Sequence, residues 1–120
     1  MTAPNYITAI LEFNIRDYDL ATEILSEWSE AEKKLEGTLL FEVYLASDKS
    51  SGTLIETFAD DDAQELHMTN SVEKFVPAFL ECAEFTSFVY LGKVSNAVKQ
   101  RVEAFPFLFQ NFEVGFRRLP

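Results

Sequence analysis

With 120 residues, 48% of them hydrophobic and only four Gly and four Pro, the chain is long enough to bury one core and lacks the composition of a disordered segment. Twenty carboxylates against ten basic side chains give a formal charge of −10; that charge opposes phosphate neutralisation and offers no patch to anionic lipid, so no nucleic-acid or membrane partner is expected. The single cysteine, Cys82, allows no internal disulfide, and the opening "MTAPNYITAILEF" has neither the basic start nor the apolar core of a secretory leader, which predicts a cytoplasmic protein.

The first element is a strand over Tyr6–Ile15, "YITAILEFNI", with Ile7, Ala9, Leu11, Phe13 and Ile15 on one face. "RDYDLATEILSEWSEAEKKLEG" follows as an amphipathic helix: Leu20, Ile24, Trp28, Ala31 and Leu35 recur at spacings of three and four, acids come early, lysines late, and Gly37 is the expected stop. A second strand, Thr38–Ala46, places Leu39, Phe41, Val43 and Leu45 on one face. Ser47–Gly52 is turn chemistry, and Thr53–Ala59 returns as a third strand to complete a hairpin.

Asp60, Asp61 and Asp62 supply an N-cap and first-turn acids for a second helix. Its stripe continues through Val72, Phe75, Val76, Phe79, Leu80 and Ala83, with a kink or fresh start expected at Pro77. "TSFVYL", Thr86–Leu91, reads as a fourth strand. The remaining residues predict a short helix capped by Ser95, bearing Val98, Val102 and Phe105, and a fifth strand in which Phe112, Val114 and Phe116 alternate.

Strand, helix, strand, strand, helix, strand is the split βαβ order of a ferredoxin-like α+β sandwich with an antiparallel sheet. The expected organisation is one domain over residues 1–120, with a core at 6–91 and a helix-strand extension at 92–120. Twelve Phe exceed what so small a core easily hides, and both phases of the first two strands carry large side chains. Two sheets meeting face to face in a homodimer would cover the open face. The terminal "FPFLFQNFEVGF" is expected to be paired as an edge, within the subunit or with its partner.

"EGTLLFEVYLASDKSSGTLIETFADDDAQELHMTNSVEKF" resembles the core of the antibiotic biosynthesis monooxygenase domain: a glycine-led strand, a hairpin, a Glu-x-aromatic strand end, an acidic turn, then Ala, Leu and His before a Thr/Ser-rich stretch. The positions carrying it are Gly37, Glu56, Phe58, Asp60, Ala63, Leu66, His67 and Thr69. The resemblance implies a dimeric α/β barrel of ferredoxin-like subunits. It also implies oxidation of a small phenolic or quinol-like aromatic without metal or cofactor. The third-strand aromatic, often Trp in the family, is Phe58 in this chain.

Taken from the residues, His67 is the only histidine and shares a helical face with Ala63, Leu66 and Asn70, so its ring is expected to turn toward the sheet. Buried there it can be a neutral base for a phenolic proton, with Glu56 as its orienting carboxylate; the competing reading is a packed ring with a satisfied nitrogen. Glu12, Glu42 and Glu56 also read as interface carboxylates paired with Arg101, Arg117 or Arg118 or with the hydroxyls of Tyr44 and Tyr90. Trp28, Phe41, Phe58, Phe75 and Phe79 are candidates for lining a pocket for a flat aromatic ligand, or are plain core. No second His or Cys, Gly-rich phosphate loop or Gly-x-Ser-x-Gly turn occurs, so no metal or cofactor site is predicted. Two functions follow: a cofactor-independent monooxygenase of a small aromatic, or a non-catalytic dimeric ligand-binding or accessory protein. A cavity of ~300 Å³ or more beside His67 would favour the first.

Overall fold

The computed structural model describes residues 6–118; the ends of the expected domain, 1–5 and 119–120, lie outside them. The elements are β1 (Ile7–Ile15), α1 (Tyr18–Lys33), β2 (Thr38–Leu45), β3 (Ser51–Phe58), α2 (Asp61–His67), a π-helical turn (Met68–Val72), α3 (Glu73–Phe79), β4 (Ala83–Leu91), α4 (Asn96–Arg101) and β5 (Leu108–Gln110). The sheet runs β2-β3-β1-β4-β5. Its first four strands pair antiparallel, as the ferredoxin-like reading requires, and β5 joins β4 in parallel.

Alternation in β1 puts Ile7, Ala9, Leu11 and Phe13 under the helices, all buried, while Ile10, Glu12 and Asn14 face the other way. Asp17 caps α1 through the Leu20 N–H. The buried face of that helix is Ala21, Ile24, Leu25, Trp28 and Glu32, whereas Leu20 is exposed. Trp28 stacks on Phe75 with centroids 5.9 Å apart and meets Phe79 edge-on, so α1 and α3 are joined by aromatic contacts.

Several expectations are corrected. Helix α1 ends at Lys33 with Lys34 in a right-handed conformation, so Gly37 is not its cap. Gly37 instead lets α2 approach: a Cβ there would lie 2.4 Å from the Ala63 Cβ. Pro77 sits inside α3 without a fresh start. The irregularity comes earlier, at the π-helical turn, because residues 67, 71, 75 and 79 all point at the sheet; a constant spacing of four drifts off the face of an α-helix, and one wider turn restores it. Strand β4 begins at Ala83 rather than Thr86. A bulge near Glu12/Phe13 pairs Leu11 with Phe88 and Phe13 with Phe85, which brings two phenylalanines three residues apart onto the same face.

The expected fifth strand through Phe112, Val114 and Phe116 does not form. These side chains are exposed, and β5 lies earlier, over three residues beside Val89–Leu91. Gly115 has φ +143° and open space where a Cβ would stand, and among the described residues no strand pairs with this segment. Among the described residues no helix is long and apolar enough to cross a membrane.

Candidate functional site

His67 ends α2 and turns inward beneath the sheet, 3% exposed. Its Nδ1 lies 2.7 Å from Oε2 of Glu32 and its Nε2 lies 3.3 Å from Oε2 of Glu56. An imidazole thus stands between two carboxylates that are themselves buried. The Phe58 ring packs against it with centroids 4.6 Å apart.

The two carboxylates differ in surroundings. Glu32 accepts from the Thr38 hydroxyl at 2.9 Å and from the Ser71 hydroxyl, besides its contact with His67. The Ser71 oxygen in turn accepts the Trp28 indole N–H at 3.3 Å. Burial pushes Glu32 up, but the His67 hydrogen bond and charge, with the two hydroxyls, outweigh it and hold the group below the usual carboxylate range. Glu56 has no such donors. Burial dominates, His67 offsets it in part, the Glu32 charge adds to it, and the carboxyl is pushed up to about 7. Burial pulls His67 down, yet the Glu56 charge and the Glu32 hydrogen bond and charge raise it above the usual imidazole range.

The product is a graded array: an anionic Glu32, a cationic His67 and a Glu56 that titrates near neutrality, where a group can both accept and return a proton. Oε1 of Glu56 has no hydrogen-bond partner among the described residues. Glu56 borders a cavity of about 40 Å³ whose wall includes Ala9, Trp28, His67, Tyr90, Phe88 and Phe107. That volume takes a water molecule or one substituent of a ligand, and no aromatic ring. Among the described residues no His/Cys/Asp/Glu group is arranged to hold a metal ion.

Of the residues singled out from sequence, His67 and Glu56 meet. Trp28 borders the cavity, whereas Phe41, Phe75 and Phe79 pack in the aromatic core around it and Phe58 backs the imidazole. The carboxylates of the strands separate: Glu56 faces the helices, Glu12 is exposed, and Glu42 accepts from Tyr44 at 3.0 Å. Arg101 pairs with Glu65 at 3.2 Å rather than with a strand carboxylate.

Sequence reasoning missed Glu32 and Ser71. Glu32 follows Trp28 by four residues and so continues the buried stripe of α1, a signal hidden by the acidity of the surrounding helix. Ser71 follows His67 by four, but only the π-helical turn brings it inward. Tyr90 is named from sequence as a possible hydroxyl partner of the strand carboxylates, but its place beside Ala9 shows only in the strand register.

No family model and no curated protein matches the chain in sequence. Solved structures do match it in fold. MupZ from Pseudomonas fluorescens superimposes with TM-score 0.84 at 15% identity, covering 95% of each chain. SnoaB, a cofactor-independent oxygenase from Streptomyces nogalater, gives 0.66 at 10% identity over 77% of this chain and 96% of its own. A protein from Caulobacter crescentus CB15, provisionally described as an antibiotic biosynthesis monooxygenase, gives 0.63 at 14% identity over 77% of this chain and 92% of its own. The chain therefore has the ferredoxin-like α+β subunit fold that its sequence resemblance implied. The match to MupZ extends over nearly the whole chain, while the other two leave about a quarter of it uncovered.

Proposed function

We propose that this chain is a cofactor-independent monooxygenase of a small phenolic or quinol-like aromatic, in which Glu56 takes the substrate proton. The observation that carries the reading is the buried Glu32–His67–Glu56 array opening on an apolar cavity. The fold shared with a cofactor-independent oxygenase supports it. Roles follow from the graded protonation. Glu32 orients the ring and keeps it charged, His67 stabilises the anion formed beside it, and Glu56 is the base. Deprotonation makes an electron-rich phenolate that can give an electron to O₂; when a ring CH₂ becomes C=O, one oxygen atom stays in the product and the other leaves as water.

An apolar row on the outer face of the sheet belongs to this reading. Ile55, Ile10 and Val89 form one row across β3, β1 and β4, and we assign a second copy of the chain to that face. Sedimentation at micromolar concentration is expected to give a homodimer, and a stable monomer would remove this part of the proposal.

One observation favours the second reading, a ligand-binding or accessory protein of the same fold: the cavity of about 40 Å³ is far below the ~300 Å³ of an ordinary ligand site. Oxygen uptake with a panel of quinols and anthrones separates the two. Uptake that falls at least 100-fold in Glu56→Gln and in His67→Ala supports the enzyme, on the scale general-base catalysis commonly contributes. Uptake unchanged in both variants rejects the assigned roles, and no uptake with any compound favours the accessory protein.

A further inference from the structure

The row of residues that crosses the sheet at Ala9 is Phe41, Glu56, Ala9, Tyr90 and Phe109, each in register with the next. Glu56 and Tyr90 therefore stand on the two strands flanking Ala9 and rise from the same face. Between them is only a methyl group. Strands are spaced ~4.8 Å apart, so two long side chains separated by an alanine leave a gap over it. Ala9, Glu56 and Tyr90 are all in the wall of the cavity.

Both flanking side chains keep unused hydrogen-bonding capacity. Oε1 of Glu56 is an acceptor with no partner among the described residues. The Tyr90 oxygen accepts from Nε2 of Gln64, and both residues are buried. A phenol has one O–H to give; with Nε2 of Gln64 donating to its oxygen that O–H remains to be placed, and Oε1 of Gln64 is likewise without a partner among the described residues. Tyr90 is also held by the chain's C-terminal region: Phe107 lies 4.5 Å from its ring centroid, and Phe109 stacks on it at 5.8 Å with planes 2° apart.

We propose that the gap over Ala9 is a binding site for one oxygen atom of the ligand, held by the Tyr90 O–H on one side and the Glu56 carboxyl on the other. The inference rests on the reading of this cavity as a ligand site and adds to it a second functional group, Tyr90, and the polarity of what binds. With Glu56 ionised, the site offers one donor and one acceptor and suits a hydroxyl. With Glu56 protonated, two donors converge and suit a carbonyl or an oxyanion. Taking a proton from the ligand thus turns the site from one that fits the hydroxyl into one that fits the anion. Gln64 and Phe109 are positioning residues, because they hold the phenol without lining the cavity, whereas Phe107 packs on the phenol and also forms part of the cavity wall.

The test pairs 2-naphthol with 2-methylnaphthalene, which replaces the oxygen by a methyl of similar size, and measures both affinities for wild-type protein and Tyr90→Phe. That variant keeps the ring stacking. Wild type is expected to prefer the naphthol about tenfold, and Tyr90→Phe to lose most of that preference while the affinity for methylnaphthalene stays the same. An equal preference in both proteins overturns the proposal. Ala9→Val, which closes the gap and leaves Tyr90 in place, should weaken naphthol binding at least tenfold; unchanged binding also overturns it. Carbon-13 NMR of the Glu56 carboxyl gives a reading without any ligand. Its midpoint should rise in Tyr90→Phe, because an ionised carboxylate loses a donor reached directly or through one shared water. If neither naphthalene binds, the ligand-site reading fails, and an unmoved Glu56 midpoint then rejects the Tyr90 assignment as well.

Discussion

Ala9 and Phe13 lie four residues apart on the same face of β1, and the space between sheet and helices is managed in opposite ways above them. Phe13 is flanked by Gly52 on β3 and Phe85 on β4. Its ring leans over the glycine so closely that a Cβ on Gly52 would lie 2.8 Å from Cζ, and it meets Phe79 edge-on at 5.1 Å. Large above small, with no polar atom, is how a core is filled. Ala9 reverses the order, a small residue between Glu56 and Tyr90, and leaves room among groups that can donate and accept. One strand therefore carries both a packed end and the end we propose to be reactive. What tells them apart is which neighbours share the row.

The largest effect that could break this comparison is at the packed end. Phe13→Ala is expected to cost about 3–5 kcal/mol, the transfer term plus the cavity left beside Gly52 and Phe79. Urea unfolding at pH 6 checks it. A loss under about 1 kcal/mol would mean that the packed end is no better filled than the reactive one.

Acidity sharpens the contrast at the other end. Glu56 is raised from 4.5 in the unfolded chain to about 7, so its share of stability is complete below pH 4.5 and disappears as pH rises through 7. Each unit is worth ~1.4 kcal/mol, so the total is on the order of 3 kcal/mol. His67, also raised, loses its share on the same alkaline side, from about 6.5 upward. Glu32, lowered, loses its share on the acid side, as pH falls below 4.5. Stability should therefore peak near pH 5 and fall toward pH 8. In Glu56→Gln most of that fall should vanish, leaving the variant ~1–3 kcal/mol more stable than wild type at pH 8, since an ionised buried carboxylate with an unpaired oxygen is replaced by a neutral group. A wild-type profile flat between pH 5 and 8 would contradict the assignment.

The packed end was legible in the sequence and the reactive end only in part, for reasons that lie in particular residues. Period-two alternation finds Ile7, Ala9, Leu11 and Phe13 because a strand projects alternate side chains to one face. The same signal marks Phe112, Val114 and Phe116, which have no partner strand among the described residues. His67 and Glu56 could be named as neighbours from their spacing in a known pattern. Glu32 could not, because it approaches from another helix, and the carboxylate expected to orient the imidazole proves to be the less hydrogen-bonded of the two. The bulge in β4 and the π-helical turn escape period counting altogether, since each changes the period it would be counted by. Register, a relation between distant segments, decides that Glu56 and Tyr90 flank Ala9.

The smallest of these effects concerns Ser71, where the two ends join. Its hydroxyl donates to Glu32 and accepts the Trp28 indole N–H, so it links the aromatic core to the array of charges. Ser71→Ala leaves that indole donor buried without a partner and removes one donor from Glu32, for an expected cost of ~1–2 kcal/mol at pH 6. The loss also has a direction in pH. Glu32 with fewer donors is less strongly depressed, so its folded midpoint moves back toward 4.5; its stabilising share is then smaller, and the loss, which still begins near 4.5 on acidification, is complete at a higher pH than in wild type. Alkaline behaviour, governed by Glu56 and His67, should change much less. A variant that shifts only the alkaline limb would place Ser71 with the wrong carboxylate, whereas an acid-limb shift ties the π-helical turn to the charge state of the site.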